Sequence, residues 1–530
     1  MQCRRQQRQY AADNKESPGE LAITSLDRRD YLNLLGLCLL AGIIRFYGLG
    51  GASFWADEIF TLKFSSLPWS TLWVSAYDAT PPLYFSIIHL MLGVGEGEGW
   101  LRLPSALAGV MTIVFVYLAV VKLAGSRAAL ATGLLLTVSI ANIEYSQEAR
   151  AYALACMWIA MSFLGLAALS ERWADDAAGV GFRALLAGGG AVYGIGVLAG
   201  LYSHNLAVFY WLAAQFFFLG WWLSTFRFSR GLLTSWFVLN LLVLILWLPW
   251  LRASLQFIEQ GRWVWLEQYD FGRALQTWRR VNGIETGYSL DALIDWLVIA
   301  LTAWGLFCLR KRMTIALTLL AMLLFSSLVM WLYGFVAEPV FMRRSVLWGS
   351  LFSLMLVGIG ISHLPPLVGR VVLIGLFGAG LVGSFNYHRY GWAENDDWRS
   401  PAQLFAEQAG ADDVLLFRTT WQAPAFLHYL DQPQVRRRVL GWSCTTQQPL
   451  FGQVHARQHF SRVAWSEQNP GWDDTTLTAA TVWVVHNECP DAAGIEASDS
   501  FLQQHWTQVS SHGFKGVVLN RWVPRQAVLE

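Results

Sequence analysis

Charged residues are scarce in this chain. Of its 530 residues, 14% are Asp, Glu, Lys or Arg, and 55% are apolar. Soluble proteins carry about 25% charged residues, so the composition excludes an ordinary soluble protein and indicates a membrane protein. The formal net charge is +1, and nucleic-acid binding usually shows a strongly basic balance. We therefore expect no nucleic-acid partner.

Several common motifs are also missing. The six cysteines form no CxxC pair, so neither a zinc nor a redox motif is supported. No acidic cluster or histidine pair at ligand spacing predicts a metal site. No credible nucleotide-binding loop is present, and we expect no cofactor. Cys444 and Cys489 either form one disulfide or remain thiols, because their spacing demands neither.

Long apolar runs dominate what is present. The first 30 residues contain no such run, which predicts that the first membrane helix, and not a cleaved signal peptide, directs insertion. A membrane-spanning helix needs about 20 apolar residues. The sequence predicts a polytopic α-helical membrane protein with about 11 transmembrane helices, at 32–49, 103–123, 128–143, 152–170, 184–202, 206–225, 232–251, 291–309, 314–333, 345–362 and 370–386.

The distribution of Lys and Arg predicts the orientation. Basic residues concentrate in cytoplasmic loops, and alternate short loops of this chain are basic if the N-terminus is cytoplasmic. An odd number of spans then places the C-terminal region outside. We predict a cytoplasmic basic tail at 1–30, a transmembrane domain at 31–386 with long outside loops at 50–101 and 252–290, and an extracytoplasmic soluble domain at 387–530.

The C-terminal region has the pattern of a small α/β domain. Ser400, Pro401 and Gly410 predict a helix with an N-cap, a first-turn proline and a glycine at its end. Residues 414–418 and 481–486 are typical of strands, 501–506 of a helix, and 516–521 of an extended segment. Alternating helices and strands favour an α/β fold.

The strongest candidate for chemistry is the carboxylate pair Asp57-Glu58, set among aromatic residues just after the first span. One carboxylate there is able to act as a general base on an attacking hydroxyl. The alternative is a helix N-terminus whose acids complement the helix dipole. Local sequence leaves both interpretations open.

Other ionisable and aromatic residues fall on the same predicted membrane face. Arg102 and Arg45 are either anion contacts or anchors that extend to the membrane surface. The pair Arg343-Arg344 either neutralises a phosphate or anchors a helix end. Ionisable residues at membrane depth are functional candidates, and we predict that substrate is bound by Glu58, Tyr84, Arg102, Glu148, Arg150, Tyr152, His204, Arg343 and Arg344.

Four segments, in this order, resemble bacterial membrane glycosyltransferases of the protein-mannosyltransferase-like family, glycosyltransferase family 39, which have the GT-C fold and are related to aminoarabinose transferases. They are 45–60, 80–90 with 102–105, 146–154 and 202–204. The family's first outside loop carries an aromatic-x-Asp-Glu element, here Trp55 to Glu58. The resemblance therefore implies that Asp57 is the general base.

The resemblance also implies the reaction and the location. A sugar passes, with inversion, from a polyprenyl-phosphate donor to a lipid, glycan or protein acceptor outside the bacterial inner membrane, in contact with the bilayer. Relatives that transfer aminoarabinose carry a lysine where this chain has Thr80. The alternative is a lipid or solute transporter, but the spans show no internal repeat of the kind typical of transporters.

Overall fold

The structure is a computed structural model, which describes residues 26–74, 80–175, 188–225, 230–259, 268–390, 396–430, 439–442, 449–457, 460–466, 480–487 and 492–525. The predictions for the tail before residue 26 and for Cys444 and Cys489 lie outside these residues.

The chain folds into two compact units, neither of which is continuous in sequence. The first, here called the membrane unit, comprises Met1–Tyr47, Trp73–Tyr84 and Pro104–Phe385. The second, here called the sheet unit, comprises Gly48–Leu72, Phe85–Leu103 and Asn386–Glu530. The loop that carries Asp57 therefore belongs to the same unit as the C-terminal region.

The helices before the C-terminal region follow the apolar runs. They are α1 Arg28–Phe46, α2 Ala56–Ser65, α3 Trp69–Val74, α4 Pro82–Leu92, α5 Glu98–Ala124, α6 Ser126–Thr137, α7 Ile140–Glu144, α8 Tyr152–Asp175, α9 Gly189–Ser203, α10 Ala207–Ala214, α11 Phe216–Thr225, α12 Arg230–Glu259, α13 Phe271–Asn282, α14 Asp291–Cys308, α15 Met313–Leu324, α16 Met330–Tyr333, α17 Gly349–Ser362 and α18 Pro366–Tyr390.

Six helical stretches among the described residues are long and apolar enough to span a membrane. They are Glu98–Ala124, Tyr152–Ser170, Gly231–Gln256, Asp291–Cys308, Met313–Tyr333 and Pro366–Arg389. Shorter apolar helices lie at Pro82–Leu92, Gly189–Ser203, Ala207–Leu223 and Gly349–Ser362. The chain is thus a multi-pass helical membrane protein, while the count of eleven spans stays a prediction.

Three predicted spans are divided: 206–225 is divided at Gln215, 314–333 contains a π-helix at Phe325–Val329, and 128–143 contains a full break. The run 128–143 divides into α6 and α7, because Ser139 adopts an extended conformation between them. The apolar composition of the run contains no signal for this break.

Glycines allow two helices of the membrane unit to pack at very short range. A Cβ placed at Gly165 of α8 would lie 2.4 Å from the backbone nitrogen of Tyr193, and one at Gly196 of α9 would lie 2.6 Å from that of Ser162. Small residues permit such close helix contacts in membranes. A Cβ at Gly189, the first residue of α9, would likewise lie 2.9 Å from the backbone oxygen of Gly165.

The C-terminal region forms a seven-stranded mixed sheet in the order β4-β3-β2-β1-β5-β7-β6. Strand β1 is parallel to β2 and β5, while the remaining neighbours are antiparallel. The elements are α19 Arg399–Gln408, β1 Val414–Phe417, α20 Ala423–His428, β2 Val439–Trp442, β3 Pro449–Arg457, β4 Phe460–Ser466, β5 Val482–Asn487, α21 Ala492–His505, β6 Trp506–Gly513 and β7 Val517–Pro524.

The predicted boundaries in this region need three corrections. Helix α19 begins at Arg399 and not after Ser400, because the Asp397 carboxylate accepts from the backbone nitrogens of both residues at 3.1 Å. It ends with Ala409 at the C-cap, one residue before the predicted Gly410. The helix expected at 501–506 is the last part of α21, and Trp506 already belongs to β6.

Candidate functional site

The two adjacent carboxylates at the start of α2 differ in burial. Glu58 is fully buried, whereas Asp57 is half-buried. Glu58 Oε2 accepts from the backbone nitrogen of Trp55 at 3.4 Å, which is the helix-capping role that acids fill at an N-terminus. The helix-capping interpretation therefore holds for Glu58. The general-base role of Asp57 stays a prediction.

A buried ion pair fixes the loop that precedes Asp57. Arg102 donates two parallel hydrogen bonds to Glu58, from Nε to Oε1 at 2.7 Å and from Nη2 to Oε2 at 2.6 Å. Both side chains are completely buried. The remaining donors of the guanidinium reach the backbone oxygens of Leu49, Ala52 and Ser53 at 2.9 to 3.1 Å. Arg102 thus organises both ends of the segment 49–58.

The burial of Arg102 and Arg45 excludes the interpretation of either residue as an anchor at the membrane surface. Arg102 is fully buried and Arg45 is only 1% exposed, so neither extends to the membrane surface as an anchor. Arg45, in the membrane unit, donates to the backbone oxygens of Thr137 and Leu136 at 3.2 and 3.1 Å. It satisfies carbonyl groups at the end of α6, which lack partners within the helix.

Backbone and side chains of the C-terminal region also hold the Asp57 loop, within the sheet unit. The backbone nitrogen of Phe54 donates to the Tyr429 hydroxyl at 2.6 Å. Ser53 Oγ donates to the backbone oxygen of Asp396 at 2.9 Å and accepts from the backbone nitrogen of Trp398 at 3.0 Å. The position of Asp57 in the sheet unit therefore depends on residues more than 340 positions later in the chain.

Tyr429 joins this loop to a second ion pair. Its hydroxyl donates to Glu98 Oε1 at 2.9 Å, and the same oxygen is paired with Arg399. Burial, followed by the nearby Glu98 carboxylate, raises the pKa of Tyr429, so the hydroxyl keeps its proton. Glu98, Arg399 and Tyr429 were not predicted from the sequence, because each is an ordinary residue until the fold brings the three together.

The membrane unit contains a separate cluster of predicted residues. The Tyr152 ring lies 5.6 Å from that of His204, and the Arg150 guanidinium lies 5.7 Å from the Tyr152 ring. Tyr152, His204 and Arg344 line a small cavity together with Cys156, Trp348 and neighbouring apolar residues. Three of the predicted substrate-binding residues therefore meet at one cavity.

The residues that line this mostly apolar cavity include several side chains with hydrogen-bond donors. The backbone nitrogen of Leu206 donates to His204 Nδ1 at 3.2 Å, so the ring proton is placed on Nε2. Burial lowers the pKa of His204 to about 4, with Arg150 and Arg344 acting in the same direction, and the ring is neutral at pH 7. The indole nitrogen of Trp348 is buried without a hydrogen-bond partner. A cation and two N–H donors suit a phosphate.

Arg343 differs from its neighbour Arg344. Arg343 pairs with Glu144 at 2.8 Å, and Glu285 lies 4.0 Å away. It is thus engaged by acids of the membrane unit, while Arg344 lines the cavity. The sequence presented the two arginines as equivalent, and it gave no sign of either acid.

The other predicted residues of the membrane unit are buried in its frame. The Tyr84 hydroxyl lies 2.8 Å from Ser105 Oγ, which donates to the backbone oxygen of Arg150 at 3.1 Å. Glu148 is 5% exposed in the turn between α7 and α8. Their predicted contact with substrate remains a prediction. In the described part of the chain, no group of three His, Cys, Asp or Glu residues is placed to hold a metal ion.

Comparison with solved structures shows that the chain has the GT-C fold of membrane glycosyltransferases. It is similar to ArnT from Cupriavidus metallidurans bound to undecaprenyl phosphate, with a TM-score of 0.57 and 13% identity over 92% of this chain and 97% of that chain. It is also similar to the oligosaccharyltransferase AglB from Archaeoglobus fulgidus, in complex with an inhibitory peptide and a dolichol-phosphate, with a TM-score of 0.52 and 11% identity over 93% and 74%.

At these identities the likeness is one of fold. No protein-family model matches the sequence, and no curated protein matches it.

Proposed function

We propose that this protein is an inverting glycosyltransferase of the bacterial inner membrane. It takes a sugar from a polyprenyl-phosphate donor and passes it to a lipid, glycan or protein acceptor on the extracytoplasmic face, with Asp57 as general base. The observation that carries this proposal is the cavity at which the side chains of Tyr152, His204, Arg344 and Trp348 meet.

The cavity chemistry supports a phosphate leaving group. During transfer the bond between the anomeric carbon and the phosphate oxygen breaks, and negative charge develops on the phosphate. The Arg344 guanidinium balances that charge, and the N–H groups of His204 and Trp348 donate to the oxygens. Such preorganised donors are worth most where water is excluded, as at Trp348, which is 4% exposed.

Asp57 supplies the other half of the reaction. As the acceptor oxygen bonds to the anomeric carbon, its proton passes to the carboxylate. Asp57 suits this role because it is half-buried at a helix start and held by a rigid loop, while its neighbour Glu58 is engaged with Arg102. The structures of ArnT with undecaprenyl phosphate and of AglB with dolichol-phosphate support a lipid-phosphate donor.

The test is transfer of label from radioactive polyprenyl-phosphate sugars by purified protein, with membrane lipids, glycans and peptides as acceptors. Asp57→Asn is compared with wild type and with Asp270→Asn. Asp270 is the exposed N-cap of α13, so the control repeats the same change at another helix start. Loss of a general base lowers the rate by about 10² to 10⁴-fold.

Transfer by wild type and Asp270→Asn, with a loss of this size in Asp57→Asn, supports the enzyme and its base. Wild-type turnover in Asp57→Asn rejects that role. Folded protein that transfers no sugar from any donor favours the transporter alternative, which a flux assay then tests.

A further inference from the structure

The carboxyl ends of three parallel strands meet at one edge of the C-terminal sheet. Strand β1 lies between β2 and β5 and is parallel to both. The chain leaves β1 towards β2 on one side, and β5 returns on the other side, so the strand order reverses at β1. In α/β sheets, ligands bind beyond the carboxyl ends of the strands at such a reversal.

Three residues form a row across this edge. Phe417, the last residue of β1, is in register with Gly441 of β2 and Val485 of β5. The next residues of the three strands are Trp442, Arg418 and His486, and the backbone nitrogen of Arg418 still bonds to the β5 backbone at 3.2 Å. We call these three residues the edge row.

The edge row continues an apolar layer of the sheet. Side chains alternate between faces along a strand, so the row shares its face with the residues two positions earlier, Leu440, Leu416 and Val484. Those three belong to the hydrophobic core of this domain. The core layer thus ends, at the carboxyl edge, in an indole, a guanidinium and an imidazole.

Among the described residues, each member of the row has a buried nitrogen without a hydrogen-bond partner. These atoms are Trp442 Nε1, Arg418 Nε and His486 Nδ1. Trp442 is 4% exposed and Arg418 is 5% exposed. Buried polar groups in folded proteins are nearly always satisfied by protein, water or ligand. These three nitrogens are distinguished by their position on adjacent strands at one edge of the sheet.

Residues of helix α21 border the edge row on one side and leave part of it exposed to solvent. The Arg418 Nη2 atom pairs with Asp499, whose side chain is 35% exposed. The Phe501 ring lies 5.6 Å from that of Trp442. The partial exposure of Asp499 and of His486 gives the row access to solvent, while Phe501 closes the side at Trp442.

We propose that the edge row is a binding site for an oxyanion, either a carboxylate or a phosphate ester of a small ligand. An indole N–H and a guanidinium N–H donate and never accept, so the group that satisfies them must be rich in acceptors. The guanidinium favours a negatively charged acceptor. All of these contacts lie within the sheet unit, and the proposal is independent of glycosyl transfer.

The state of His486 fits this assignment. Burial and then the nearby Arg418 lower its pKa, against the opposing effect of Asp499. The ring is therefore neutral at pH 7, and its Nδ1 atom is able to carry the proton and act as a third donor.

The test measures ligand binding by saturation-transfer NMR on the purified full-length protein. Three probes share a sugar skeleton, namely glucuronate with a carboxylate, glucose 6-phosphate with a phosphate ester, and glucose with neither. The test variant is Trp442→Phe, which keeps an aromatic ring beside Phe501 and removes one donor. The control is Trp522→Phe, since Trp522 also has a buried indole nitrogen without a partner but lies beside Val482 at the opposite end of the strands.

We expect saturation transfer to glucuronate or to glucose 6-phosphate, with the stronger of the two identifying the anion. Trp442→Phe weakens this binding about tenfold or more, as expected for a lost hydrogen bond to a charged group, whereas Trp522→Phe leaves it unchanged. Arg418→Lys, which keeps the charge and removes the Nε–H group, gives a second loss.

Equal binding of glucose overturns the oxyanion assignment. Binding that is insensitive to both Trp442→Phe and Arg418→Lys, or no binding of either anion to folded protein, shows that water fills the row and overturns the site. Because the assay measures no transfer, a failure here is distinct from a failure of the proposed enzyme activity.

Discussion

Glu58→Gln tests how the Asp57 loop is held. The change keeps the size of the side chain and leaves the Arg102 guanidinium buried without its counter-charge, because both side chains are fully buried in the native pair. Breaking a buried ion pair by removing one partner costs about 3–5 kcal/mol. Since about 1.4 kcal/mol corresponds to a tenfold change in an equilibrium constant, the open state of the loop gains at least two orders of magnitude in population.

Hydrogen exchange measured by mass spectrometry reports this opening locally, which suits a chain of two compact units better than a single melting temperature. Amides of the segment 49–60 exchange about a hundredfold faster in Glu58→Gln than in wild type. Glu407→Gln is the matched control, because Glu407 is exposed on α19 of the same unit. Exchange of the segment within tenfold of wild type refutes the role given to the pair.

A double variant separates the ion pair from the other bonds of Arg102. Glu58→Leu combined with Arg102→Met removes both charges. Such a double replacement often restores stability when the two side chains make no other important bonds. Here the double variant does not recover wild-type protection, because the Leu49, Ala52 and Ser53 oxygens lose their donor. Full recovery would show that those three bonds contribute nothing.

Substitutions at Arg344, Arg343 and Tyr429 test whether each side chain binds the donor or supports the structure. Arg344→Gln raises the donor KM about tenfold or more, since a charge-assisted bond is worth about 1.5–3 kcal/mol. Arg343→Gln removes the cation that pairs with Glu144 and speeds amide exchange around that residue. A rise in donor KM for Arg343→Gln but not for Arg344→Gln would exchange the two assignments. Tyr429→Phe removes the hydroxyl that bonds to Phe54 and Glu98. We expect it to lower kcat and to speed amide hydrogen exchange in the segment 49–60, while the donor KM stays unchanged. Unchanged kcat together with unchanged amide exchange would exclude a positioning role for Tyr429.

The helices and the sheet were largely predictable because their signals are local. Apolar runs locate the helices, and Val414–Phe417 and Val482–Asn487 form strands within one residue of the predicted limits. The break at Ser139 was not predictable, because its sequence neighbours are as apolar as any helix interior and the extended conformation is local to that residue.

The site was predictable only as a set of residue types. Asp57, His204 and Arg344 stand out as polar residues at one predicted membrane face, but the contacts that hold the Asp57 loop join residues far apart in sequence. Arg102 lies 44 residues from Glu58, and Tyr429 lies 375 from Phe54. Burial was equally hidden, since an arginine that reaches the membrane surface and one that is enclosed in protein have the same local sequence.

The interleaving of the sheet unit has a consequence for protein engineering. A segment early in the chain completes a unit whose remainder is synthesised later, so Ser53 and Phe54 find their partners only after Asp396 and Tyr429 have been synthesised. A chimaera that exchanges the C-terminal region alone would bring a foreign surface to the Asp57 loop. A functional exchange must carry residues 48–72 and 85–103 together with the C-terminal region, as one transplanted piece.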